Sequence, residues 1–319
     1  DGFEAIGGTL NISGGSVGED LATVNTDINI SGGSVERGFE AFVGSTVNIS
    51  GGTVGRDLEA FSGSEVNITG GSVGRSFDAR SGSTVNISGG SVESFAALTG
   101  SEVNVSGGTV GDNSRAINGG TVNISGGTVG NSFTAGDQFS FDPPRSTVNI
   151  SGGTVGGGFD ANSGSEVNIS GGSVGDRFRA FDGSTVNISG GSVGDRFDAR
   201  NFSEVNISGG TVGRFFARDF STVNLFVTDI SIDGVDLGLT LGDTMEINQR
   251  GGALLEATLA DGSFFDLLLN PASGEDFVDP GATLTVTRVV PTPGAAGLLG
   301  MAGLLAARRR RVAGAGLYR

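Results

Sequence analysis

The chain has no cysteine, histidine, tryptophan or lysine, and its single tyrosine is Tyr318. Without Cys there is no disulfide framework and no thiol chemistry, and the redox compartment stays open. Without His there is no imidazole base and no imidazole metal ligand. Proline is scarce as well, at 6 residues against 60 glycines, which excludes collagen, where Gly-X-Y repeats come with abundant Pro. Composition argues against plain disorder too, because 36% of the chain is apolar and rich in Val, Ile, Leu and Phe.

Charge is lopsided. There are 35 acids and 19 basic residues, every one an Arg, for a net of -16. Four of the arginines form one run, Arg308 to Arg311, and residues 1 to 290 set 14 arginines against all 35 acids. Such a surface repels phosphate, so nucleic acid is not an expected partner; cations are attracted instead.

What the chain has in abundance is repetition. A core Asn recurs twelve times, from Asn11 to Asn224, mostly 18 or 19 residues apart, with one step of 26 between Asn123 and Asn149. The first eleven copies read Asn-Ile/Val-Ser/Thr-Gly-Gly-Ser/Thr-Val; the twelfth has lost its Gly pair. In a full unit, Val186 and Ile188 share one face of a strand with Asn187 opposite, Val193 marks a second strand, and Phe197 and Ala199 mark a third. The Phe/Leu-x-Ala signature occurs ten times. Gly190-Gly191 is expected to supply positive φ angles at one corner, and Gly183-Ser184 to do likewise before the next strand. Strict alternation and β-branched strand positions oppose a helix.

The expected fold is therefore all-β: a parallel β-solenoid with about 19 residues per coil and about 12 coils, residues 1–224. A lone coil cannot fold, so stability must come from its neighbours. At a rung spacing of about 4.8 Å the rod is roughly 55 Å long. Two residues before each core Asn, Thr and an acid alternate with one slip, which keeps carboxylates off directly opposed positions. A 38-residue, two-coil duplication is the alternative cause. The slip falls at the insertion 136–145, which is expected to bulge out as a loop. From 225 to 290 the pattern changes to ordinary strands around 226–232, 245–247, 254–259, 264–269 and 282–290, read as a β-rich cap over an otherwise sticky sheet edge.

The C-terminus has three parts in order: Val290-Pro291-Thr292-Pro293-Gly294, an apolar stretch from Ala295 to Ala307 expected to form a short tail helix, and Arg308-Arg309-Arg310-Arg311. The stretch is shorter than the roughly 20 residues that span a bilayer comfortably. The Arg cluster would stay cytoplasmic. This order resembles the PEP-CTERM sorting signal of Gram-negative bacteria, with Thr292 where the family has Glu and eight residues after the Arg run. The resemblance covers about 22 residues, from Val290 to Arg311, within a sorting and anchor tail placed at 291–319, and is carried by Pro291, Pro293 and Arg308, Arg309, Arg310 and Arg311. It implies export, an exosortase-type processing enzyme as partner, and a membrane contact through the tail before processing. It also implies residence in the cell envelope, at the cell surface or in the extracellular matrix, with extracellular polysaccharide as a partner there. The chain opens at Asp1 within a repeat, so further repeats and an export signal are expected upstream.

No catalytic residues stand out. Carboxylate pairs can hydrolyse glycosides, but here the acids recur as ladders, so a polysaccharide-active enzyme ranks below a structural or adhesive repeat protein. No cofactor is expected. The weak candidate for a metal, Ca²⁺, is the outward row Glu40, Glu59 and Asp78, with a surface salt-bridged to Arg56 and Arg75 as the simpler reading. A carbohydrate- or Ca²⁺-binding surface module is the leading alternative function. Outward Phe42, Phe61 and Phe181 suit sugar stacking or corner filling. The Asn-x-Ser/Thr triplets match the glycosylation sequon, but their regular placement favours stacked amides.

Overall fold

The computed structural model describes residues 2–137, 144–270 and 277–292. Within these it is all-β and coils as a parallel solenoid, as the repeat predicts. One coil shows the construction. Glu166–Ile169, Ser173–Val174 and Arg179–Ala180 are its three strands. Val167, Ile169, Val174, Phe178 and Ala180 point inward and are buried. Each strand pairs in register with its copy on the rungs before and after: Val148, Val167 and Val186 line up, as do Ala161, Ala180 and Ala199. In four coils, Thr9–Val17, Asp27–Val35, Thr185–Val193 and Glu204–Val212, the first two strands fuse into one of nine residues.

The Gly pair works differently from the sequence expectation. Only its second member has positive φ, as at Gly52 (74°), Gly172 (72°) and Gly191 (76°). The first is needed for close approach: a Cβ on Gly51 would lie 2.5 Å from the carbonyl oxygen of Ser31 on the preceding rung. The other corner, at Gly183, also has a φ of 72°, yet a Cβ there would meet nothing within 4 Å.

Two internal stacks run along the rod. Phe133, Phe159, Phe178, Phe197 and Phe215 stack ring on ring at 4.8 to 5.2 Å. Ser114 occupies the Phe position of one coil. There Phe95 and Phe133 meet edge to face at 6.3 Å, filling the space beside the small side chain. A second column is serine, buried at the corner before the first strand: Ser45, Ser64, Ser83, Ser101, Ser146, Ser165, Ser184, Ser203 and Ser221.

The 26-residue step leaves the ladder intact. Thr121 to Ile124 pair with Thr147 to Ile150 without a shift. The inserted residues 138–143 lie outside the described residues.

At the C-terminal end the strand Thr222–Ile232 runs on past Asn224, and its residues belong to the same hydrophobic core as the coils. Thr283–Arg288 pairs parallel to Thr222–Val227 as one more rung, and Phe277–Val278 continues the Phe-x-Ala sheet beyond Phe216–Ala217. Thr244–Glu246 then covers that rung antiparallel, while the hairpin Ala253–Leu259/Phe264–Leu269 pairs with Asp229–Ile232. Reversing strand direction ends the parallel template, which is how a cap protects a sheet edge. The tail helix expected over 295–307 lies outside the described residues.

Candidate functional sites on the outer face

The core asparagines form one continuous ladder. Each Nδ2 donates to the Oδ1 of the preceding rung, from Asn29 on Asn11 (2.9 Å) to Asn224 on Asn206 (2.8 Å). The 26-residue step is bridged by Asn149 on Asn123 at 2.8 Å. At the cap the hydroxyl of Thr285 donates to Asn224 Oδ1 at 2.6 Å. The alternating acids share this ladder: Glu102 Oε1 accepts from Asn123 (2.9 Å) and Glu204 Oε1 from Asn224 (3.2 Å). Thr and acid do pair across rungs, as Thr84 does with Glu65 and Glu102.

Glu40, Glu59 and Asp78 stand in register on adjacent strands. The guanidinium of Arg80 bridges two of them, at 3.0 Å from Glu59 and 2.9 Å from Asp78. Burial, opposed by Arg80, raises the pKa of Glu59. Among the described residues no group of three or more acids is arranged to hold a metal ion. Arg80 follows Asp78 by two residues, on the same strand face by period, and this signal was readable in the sequence. Of the two arginines expected to serve the row, Arg56 pairs instead with Asp57 at 3.6 Å. Phe42 and Phe61 stack at 4.6 Å, with Arg80 over Phe61.

Farther along the same column the row becomes Asp160, Arg179 and Asp198. Arg179 grips Asp160 with two bonds of 2.6 and 2.5 Å. Asp198, 1% exposed, holds Arg200 through two bonds, and Arg218 lies 3.8 Å away. Burial raises the pKa of Asp160 against the pull of Arg179, and donating to the Asp198 carboxylate raises that of Arg200. Phe181 lies beneath both Arg179 and Arg200, at 5.4 and 5.9 Å from ring centre to guanidinium. Next to this row is a cleft of about 460 Å³. The sequence reading missed it, because only the register shows that these arginines share one face.

Two further residues escaped sequence reading. Phe202 and Phe220 take the corner place held by Gly183, at φ 61° and 63°, and their exposed rings stack at 5.4 Å. Of the sorting residues, Pro291 is described next to Thr292, whose amide bonds the Ala260 carbonyl. Pro293 and Arg308 to Arg311 lie outside the described residues. Among the described residues no helix is long and apolar enough to cross a membrane. Comparison with protein-family models, curated proteins and solved structures gives no match.

Proposed function

We propose that the chain is an exported structural or adhesive repeat protein of a bacterial envelope or extracellular matrix, sorted through its C-terminal tail, and not an enzyme. The observation that carries this reading is the unbroken Asn ladder over twelve rungs, with the core columns beside it. A rod whose every rung is stabilised by the next suits a spacer or display scaffold. The lack of His, Cys and Lys and the pairing of Glu59 and Asp78 with Arg80 favour a scaffold over a hydrolase. The order of Pro291-Thr292-Pro293, an apolar stretch and Arg308 to Arg311 supports sorting by an exosortase.

The test is expression of the full gene, epitope-tagged within the repeats, in a host with and without an exosortase. The mature product should lose its tail and reach the surface or medium only when the exosortase is present. A tail-bearing cytoplasmic product in both hosts sinks the reading.

A further inference from the structure

The cleft beside Asp160 and Asp198 combines four arginines, Arg177, Arg179, Arg196 and Arg200, on an otherwise acidic protein. Six of the 14 arginines before residue 290 fall between Arg177 and Arg218. Arg179 and Arg200 are clamped by the two Asp carboxylates and by Phe181. Among the described residues Arg177 and Arg196 form no salt bridge, so the cleft has two guanidinium groups one rung apart that are not held by a carboxylate.

These two residues also sit where arginine is not expected. Their φ angles are 63° and 64°, at a corner that is left-handed in the other coils too, where it holds Gly38 and Gly158 (77° and 74°), Ser76 and Ser132 (both 60°), Asp20 (60°), Asp57 (62°) and Asn113 (64°). The conformation is disfavoured for any side chain with a Cβ, so the corner does not select for Arg; Arg196 there also lies over the Phe216 ring at 5.9 Å. What singles out these two rungs is the side chain: both corners carry Arg, and both arginines line one cleft.

We propose that this cleft binds the carboxylates of an acidic polysaccharide lying along the rod. Guanidinium forks recognise carboxylates with paired, charge-assisted bonds. Two such forks one rung apart match successive anionic groups of an extended chain, and the hydroxyls of Ser132 and Thr134 on the cleft wall suit sugar hydroxyls. An acidic peptide finds no strand to extend, since the Phe-x-Ala strands here are paired on both sides. The proposal does not depend on how the chain is sorted.

The experiment is calorimetric titration of the full chain with oligogalacturonate, beside a neutral oligosaccharide of equal length and polyglutamate. The variant is Arg177→Gly/Arg196→Gly, which installs the residue native at positions 38 and 158 and so should not lower the melting temperature. Oligogalacturonate should bind, weaken with salt, and lose at least about tenfold in affinity in the variant, as expected when charge-assisted bonds are removed. Absent binding, equal binding of the neutral sugar, or unchanged affinity in the variant overturns the proposal. Polyglutamate binding as tightly as the uronate also overturns it, in favour of an acidic-peptide site.

Discussion

Two corners of the coil share one backbone conformation and differ in everything else. Gly172 and Gly183 both have a φ of 72°. Above Gly172 the preceding rung is so close that a Cβ would lie 2.7 Å from the backbone of Gly152; above Gly183 there is open space. The first corner therefore keeps its Gly through eleven copies, whereas the second accepts Asn25, Phe202 and Phe220 nearby. Stacking makes part of each coil invariant and leaves the outward corners free to carry chemistry. The Arg177 and Arg196 corner is free in the same sense.

The largest effect should come from Gly172→Ala. It adds a clash against backbone to the left-handed strain and should cost about 3 kcal/mol or more. Gly183→Ala should cost only about 1 kcal/mol, the strain alone. Thermal melts of the two variants measure the difference, and equal losses would break the comparison. Next, Asp198→Ala leaves Arg200 and Arg218 without their buried partner and should cost roughly 2–3 kcal/mol after allowance for their partial exposure. Glu40→Ala, in the same column with no ion pair among the described residues, should change stability by less than about 0.5 kcal/mol. Phe202→Gly should leave stability unchanged or raise it by up to about 1 kcal/mol, because glycine, the residue at the equivalent Gly183 corner, takes the left-handed conformation without strain while an exposed stack is lost. A clear loss would show that the Phe202–Phe220 stack holds the end of the rod.

The smallest effect is one of pH. The bond from Arg214 holds the Asp195 carboxyl down to about 2, against 3.8 in the unfolded chain. Its stabilisation is present above 3.8 and is lost as pH falls toward 2. Glu59 and Asp160, raised by burial, act in the opposite sense: stability from them increases as pH falls through their folded values toward 4.5 and 3.8. Melting midpoints of Asp195→Asn against the parent across the acid range should converge below pH 3.8, with the parent ahead above it.

Much of this was legible in the residues. The Asn spacing gave the rung, alternation gave inward Val, Ile, Phe and Ala, and the turn signals placed the strands of the cap. The candidate sites were less legible. Glu40, Glu59 and Asp78 were aligned correctly, but Arg80 was passed over as their counter-ion. The arginine cleft was invisible, since its arginines are spread over two coils and look like scattered surface charges.

The sequence by itself determined the coil, because a short repeat with period-2 apolar positions has few ways to bury them other than by stacking on itself. Tertiary structure decided which side chains stand one rung apart. Asp160 and Arg179 are 19 residues distant in the chain and 2.5 Å apart in space. That proximity follows from the register of the parallel ladders, fixed by backbone hydrogen bonds along the whole rod. It is also what turns a list of outward residues into a cleft.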